Sequence, residues 1–291
     1  MIVDLRERIL SSFGFLGPLA QTVQKWLGQI DTAAGPRATE VKVFLNGTWL
    51  GHPLHPVLTD VAIGSWTSAT LLDLADGGRG GDLGRGADVL VALGCAGGAA
   101  AAASGLADWQ DQEGTERDVG IAHAILNTSA LILFSTSLAL RFKGSRGPAI
   151  ALSVLGLGAT GIGGYLGGHL VFRLGTSVNR NAFTSGPKAW RAVTDEADVV
   201  EGARIRKQVG NNQVLISRLG GEFCAVSAIC SHAGGPLDEL PIENGQLHCP
   251  WHGSRFDLRS GRVIQGPATA ALPVFDVRTK DGKVEIRRPP V

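Results

Sequence analysis

The sequence predicts two folds in one chain: an N-terminal all-α bundle of four transmembrane helices, then a small antiparallel all-β domain whose loops hold metal. Three observations predict this. Between residues 56 and 172 lie four apolar stretches, each near the roughly 20 residues that cross a bilayer. After residue 188 the pattern changes to short strands punctuated by glycine turns. Within that second part, Cys230-Ser231-His232 and Cys249-Pro250-Trp251-His252 form two Cys-plus-His pairs separated by sixteen residues.

Residues 1–40 read as an amphipathic segment. Leu19, Val23, Trp26, Leu27 and Ile30 recur at helical spacing, and Gly17-Pro18 would start that helix. Asp4 and Glu7, with no long apolar core after them, argue against a signal peptide. The helix either lies in the membrane interface or packs on the bundle. The membrane domain is expected over 41–175, with spans at 56–75, 89–107, 121–140 and 149–172. Asp60 and Asp73 make the first span the weakest. Buried helices of a soluble domain are the alternative, disfavoured by four successive spans with short polar loops. Gly94, Gly97 and Gly98, and the pairs Gly163/Gly167 and Gly164/Gly168, predict close helix approach in lipid.

An even number of spans puts both ends of the membrane domain on one side. Arg37 and Lys42 precede the spans, and Arg173, Arg180, Lys188 and Arg191 follow them. Arg79, Arg85, Arg141, Lys143 and Arg146 fall on the opposite side. The bias modestly favours cytoplasmic termini, at a bacterial-type inner membrane. Residues 176–188, rich in Asn, Ser, Gly and Pro, read as a linker. Residues 189–291 read as the β domain, with hairpin signals at Gly220-Gly221, Asn244-Gly245, Ser260-Gly261 and Asp281-Gly282.

Cys230, His232, Cys249 and His252 are the candidate metal ligands. A [2Fe–2S] centre in which two histidines replace two cysteines on one iron needs this set. A Cys2His2 zinc site uses the same residue types, but usually pairs Cys with Cys and His with His. A Cys230–Cys249 disulfide would leave both histidines unexplained. The longer motifs, from Cys230 to Leu237 and from Cys249 to Asp257, resemble the two cluster loops of a Rieske domain. Gly266-Pro267-Ala268 with Leu272-Pro273 resembles the proline loop that covers the cluster in that family. The resemblance spans about 189–288 and is closer to Rieske-type ferredoxins than to respiratory Rieske proteins. The latter carry a loop disulfide and a tyrosine near a sulfur. Gly235 and Trp251 stand at the two disulfide positions here and Phe256 at the tyrosine, while Ser254 is kept. The resemblance implies one-electron transfer, Cys230 and Cys249 holding one iron and His232 and His252 the iron that changes valence.

His52, His55, His123 and His169 lie in or beside the spans, and threading brings them to the membrane side that carries the β domain. Ionisable groups at that depth suggest function, and helix bundles commonly build cofactor sites from facing helices. The four are candidate ligands for haem b or a metal; structural hydrogen bonding between helices is the alternative. Gly51-His52-Pro53-Leu54-His55-Pro56, with Ala122-His123 and Gly168-His169, resembles an uncharacterised bacterial four-helix membrane domain suggested to serve redox proteins.

The net charge of +1 argues against a nucleic-acid surface. The four cysteines, Cys95, Cys224, Cys230 and Cys249, form no disulfide framework once two serve the cluster. The expected function is a membrane-anchored electron relay between a redox partner protein or quinone and a membrane acceptor. A ferredoxin donor to a separate oxygenase or desaturase, and a membrane redox sensor, are the alternatives. No independent catalytic site is seen. Too few residues follow His252 for the two-His-one-carboxylate iron domain of an oxygenase.

Overall fold

The computed structural model describes residues 14–290. They divide into two compact units. The first comprises the chain up to Val41 together with Leu54–Thr176; the second comprises Lys42–Pro53 and the chain from Ser177 onward. Asp4 and Glu7 lie outside the described residues.

Six α-helices occur among the described residues: α1 (Leu16–Ala34), α2 (Pro36–Asn46), α3 (Leu54–Asp76), α4 (Asp82–Trp109), α5 (Gly114–Phe142) and α6 (Arg146–His169). A π-helical turn, Leu170–Leu174, extends α6. Each expected span is the apolar middle of a longer helix. Backbone hydrogen bonding continues through flanking polar residues that hydropathy does not count. Among the described residues, three helices are long and apolar enough to cross a membrane: α4, α5 and α6 with its π turn. The expected count of four is therefore met only in part. α3 has the length, at 23 residues, but Asp60, Asp73 and the run from Gly64 to Ser68 dilute its apolarity.

Small residues set the packing of these helices. A side chain at Gly98 would stand 2.9 Å from the Trp66 ring, and Trp66 stacks on Phe134 at 4.3 Å. Gly156 and Gly163 make the same room on α6, for Phe134 and Asn127 of α5. Of the two glycine pairs expected to pack, Gly163/Gly167 faces α5, whereas Gly164 faces open space and Gly168 approaches only Phe172. Large side chains point outward instead: Leu71, Leu74, Val89, Leu93, Ile132, Leu155 and Ile162 are all exposed. Glycine and alanine inside with leucine and isoleucine outside is a pattern suited to lipid. α1 joins the bundle by burying Leu16 and Ala20 against Trp109 and Ile121, leaving Trp26 and Ile30 exposed.

One end of the bundle is closed by buried charge. Arg141 donates to both oxygens of Asp73, to Asp88 at 2.8 Å and to Ser137 at 3.2 Å. Arg146 reaches the same two aspartates. The side chains of Asp73 and Arg141 are 0% and 1% exposed. Asp73, one of the two aspartates that weaken α3 as an apolar span, is thus neutralised by the helix ends it meets.

The second unit contains nine strands among its described residues: β1 (Arg191–Asp195), β2 (Ile205–Val209), β3 (Asn212–Leu219), β4 (Glu222–Ser227), β5 (Gln246–His248), β6 (Arg255–Asp257), β7 (Val263–Gln265), β8 (Asp276–Lys280) and β9 (Lys283–Arg287). They form three antiparallel sheets in the orders β1-β9-β8, β2-β3-β4 and β5-β6-β7. Alternation along β3 and β4 builds two cores. Leu215, Cys224 and Val226 face one, with Leu247, Phe256 and Leu258; Val214, Ile216 and Ala225 face the other, with Phe275 and Ile286. The first core carries the two candidate cysteine ligands.

Candidate metal centre

Two loops of matching construction leave this core. The first follows β4: the Cys230 N–H donates to the Gly235 carbonyl at 2.8 Å, and the Gly234 N–H donates back to the Cys230 carbonyl at 3.1 Å. The second follows β5: Cys249 N–H to Ser254 carbonyl at 2.8 Å, and Gly253 N–H to Cys249 carbonyl at 3.1 Å. Each closes through a glycine in the left-handed region, Gly234 at φ 89° and Gly253 at φ 74°, a conformation that excludes most side chains. The repeated closure turns both cysteines inward, at 0% and 3% exposure.

The cysteines meet sulfur to sulfur. The Cys249 thiol is lowered to about 6, first by the hydrogen bond from Cys230 and then by the backbone N–H groups of Trp251 and His252. The N–H groups of His232 and Ala233 are directed to the Cys230 sulfur in the same way. Each sulfur thus has two amide donors, but the hydrogen bond to Cys249 and then burial push the Cys230 thiol well up, so the pair shares one proton and Cys249 is the readier thiolate. All four cysteines are free thiols, so the disulfide reading is not met.

The two histidine rings stand 5.0 Å apart and perpendicular. Two imidazoles on one tetrahedral ion, with metal–nitrogen bonds of about 2.0–2.1 Å, place their ring centres about 5 Å apart. His252 Nδ1 is buried without a hydrogen-bond partner, an arrangement costly for a nitrogen with no ligand to meet. The imidazoles face each other, and the two thiols are hydrogen-bonded to each other. The thiols and the imidazoles are two separate pairs. A mononuclear zinc site needs four ligands around one ion, whereas a two-iron centre of mixed ligation takes one pair per iron. The residues fit the second.

The surroundings of the centre account for the departures noted in the sequence. A side chain at Gly235 would stand 2.8 Å from Cys249 Sγ and 3.0 Å from the Trp251 ring, so the two positions that could have been bridged are filled by an indole lying on a glycine. Phe256 is fully buried in the core. Ser254, also fully buried, accepts the Ala268 N–H at 3.0 Å, and Ser231 donates to the Ala270 carbonyl at 2.6 Å. The 266–270 loop is thereby tied to both cysteine loops.

In the first unit, His55 and His123 come together, with ring centres 6.1 Å apart. His55 Nδ1 lies 2.8 Å from the Ala101 carbonyl and His123 Nδ1 2.8 Å from the Gly163 carbonyl. Gly105 and Gly167 make room for these rings. His169 ends α6, half-buried. His52 belongs to the second unit; it is exposed, with Nδ1 3.1 Å from the Pro53 carbonyl. The structure thus pairs two of the four membrane histidines.

Mirrored Cys/His loops on a small antiparallel β fold define an iron–sulfur electron carrier. Residues 189–276 match the Rieske [2Fe-2S] domain, and residues 51–180 match a predicted membrane protein family, DUF2231. The chain belongs to the Rieske [2Fe-2S] family, here fused to that membrane domain. It is 31% identical over 98 residues to ferredoxin CarAc of Metapseudomonas resinovorans, covering 33% of this chain and 92% of that one. It is 32% identical over 96 residues to apoptosis-inducing factor 3 of Homo sapiens, covering 33% of this chain but only 16% of that protein. Among solved structures, the complex of reduced oxygenase and oxidized ferredoxin in carbazole 1,9a-dioxygenase aligns at 29% identity and a TM-score of 0.33, covering 35% of this chain and 96% of that one.

Proposed function

We propose that the chain is a membrane-embedded one-electron carrier, with Cys230 and Cys249 ligating one iron of a [2Fe–2S] cluster and His232 and His252 the other. The observation that carries this is the division of the ligands into a thiol pair and an imidazole pair. The bound cluster supplies reversible one-electron chemistry. The chain's own residues do the rest. The amide donors stabilise the thiolate form of each sulfur once the proton shared by the pair is displaced, and the burial of both sulfurs limits access of water to them. Cys230→Ser or His252→Ala in the full-length protein should abolish the native cluster, read as iron and acid-labile sulfide per chain. Retention of both at wild-type levels would overturn the assignment.

The membrane domain is proposed to be a four-helix transmembrane bundle over 41–175, followed by the joining segment 176–188 and the Rieske domain at 189–291. α3 serves as the fourth span because Asp73 is neutralised by Arg141 and Arg146. The cations flanking the two ends, Arg37, Lys42, Arg173, Arg180, Lys188 and Arg191, support cytoplasmic termini, with the Rieske domain facing the cytoplasm of a bacterial-type inner membrane. A haem b or metal at His55 and His123 is the proposed second redox centre. An imidazole that donates Nδ1–H to a carbonyl presents Nε2 as a ligand, the usual arrangement around a metal. The external partner is a reductase or oxygenase component, as the ferredoxin relatives suggest, or a quinone.

A further inference from the structure

We propose that the two segments through which the chain passes between its units clasp the cluster loops, and that Thr48 and Asn181 are positioning residues for the centre. Both lie outside the residues that match the Rieske family. The inference rests on the cluster assignment above.

The first segment is Lys42–Pro53, which belongs to the second unit. Its short 3-10 turn, Thr48–Leu50, is flanked by Gly47 at φ 82° and Gly51 at φ 81°. The turn is closed by Leu50 N–H to the Gly47 carbonyl at 2.9 Å, and Trp49 is fixed beside it by its Nε1–H to the Phe44 carbonyl at 3.1 Å. This rigid turn presents the Thr48 hydroxyl to the 266–270 loop. Thr48 Oγ1 donates to the Ala268 carbonyl at 3.3 Å, and a side chain at Gly266 would stand 2.6 Å from the Thr48 hydroxyl oxygen. Ala268 is therefore held from both ends: its carbonyl by Thr48 and its N–H by Ser254. A hydroxyl that accepts one hydrogen bond keeps its own hydrogen to donate. Ser254 is fully buried, and its remaining hydrogen is the one inferred to reach a cluster sulfur.

The second segment is the one the sequence presents as a linker. The Asn181 side chain is buried, although asparagine is mostly found at surfaces. Its Nδ2 donates to the Ile229 carbonyl at 2.8 Å, and its Oδ1 accepts from Ser227 Oγ at 2.7 Å. One residue earlier, the Arg180 N–H donates to the Ser231 carbonyl at 3.0 Å. The carbonyls on either side of Cys230 are thus both capped by this segment. One clasp fixes the loop over the centre, and the other fixes the loop of the first cysteine.

Thr48→Val removes the hydroxyl and keeps the shape. With Ala268 loosened, Ser254 loses its fixed direction. A weakened donor toward the sulfurs disfavours the more negative, reduced state. The expected result in the full-length protein is about a threefold fall in the one-electron reduction constant, roughly 30 mV in midpoint at 59 mV per tenfold. Thr48→Ser should restore the wild-type value, which mere damage to folding would not do. Asn181→Leu should speed amide exchange at 229–232, and Thr48→Val at 266–270, each leaving the other loop unchanged. Unchanged midpoint and unchanged exchange in both variants would overturn the proposal. A wild-type protein lacking the cluster would instead count against the assignment above, and the exchange comparison would still decide the clasp.

Discussion

One methyl group added at Gly235 sets the first cysteine loop against the sulfur of the second. The new carbon would lie 2.8 Å from Cys249 Sγ, against an ordinary contact of at least 3.4 Å, a deficit of about 0.6 Å. It would also lie 3.0 Å from the Trp251 ring. Trp251 is 55% exposed and can swing away. Cys249 cannot, being buried and held through both its N–H and its carbonyl. The strain therefore falls on the sulfur. Overpacking of this kind costs about 1–3 kcal/mol, which is about 5- to 140-fold in apparent cluster affinity. Gly235→Ala should accordingly lower cluster occupancy after chelator challenge, and adding Trp251→Ala should not rescue it. Gly253→Ala is the control. It meets no atom within 4 Å and is penalised only through its φ of 74°, about 1–2 kcal/mol of backbone strain. Full occupancy in Gly235→Ala, or rescue by Trp251→Ala, would refute the reasoning.

Other expected outcomes follow from the same structure. The wild-type midpoint should fall toward the low end of the Rieske range, roughly −150 mV, because Phe256 carries no hydroxyl; Phe256→Tyr should raise it in a redox titration. Asp73→Asn should destabilise the membrane domain by about 3–5 kcal/mol by leaving Arg141 buried and under-compensated, seen as earlier thermal unfolding in detergent, while Asp73→Leu with Arg141→Met should cost much less. Asp257 is held below the usual carboxylate range, first by the Ser260 hydroxyl and then by backbone N–H groups. Its stabilising effect should be complete above pH about 4 and lost as pH falls through its lowered value, so Asp257→Asn should flatten that part of an acid-unfolding curve. His55→Ala or His123→Ala should remove any haem absorbance or bound metal beyond the cluster iron while leaving the cluster signal intact; unchanged absorbance and metal content would remove the proposed second centre.

Much of this architecture can be read from short-range pattern. The glycine turns of the β domain sit at positive φ where expected, at Gly220, Gly221, Gly245, Gly261 and Gly282. The Cys/His pairs announce the centre because their chemistry demands those residues within a few positions of one another. The extent of α3 as a span is harder to read, since Asp73 looks prohibitive until Arg141 is placed beside it, 68 residues away. The clasps lie furthest from view. Thr48 bonds a carbonyl 220 residues distant, and no local periodicity encodes that. Asn179, Asn181 and Gly186 have the composition of a loose connection, yet Asn181 is buried, its amide bonded to Ser227 at the end of β4 and to Ile229 in the first loop. Composition records a side chain's polarity; only the fold shows which backbone groups it meets. The same holds for His52, which by spacing belongs with His55 and by structure belongs to the other unit.

Two histidines and two cysteines are proposed to divide one two-iron cluster between them. Paramagnetic-resonance spectroscopy of the reduced full-length protein, grown with nitrogen-15 histidine, tests this division most directly. Hyperfine coupling to two histidine nitrogens is expected, and the whole signal should be lost in His252→Ala. A signal without histidine coupling, or a protein that holds zinc and gives no signal on reduction, would contradict it.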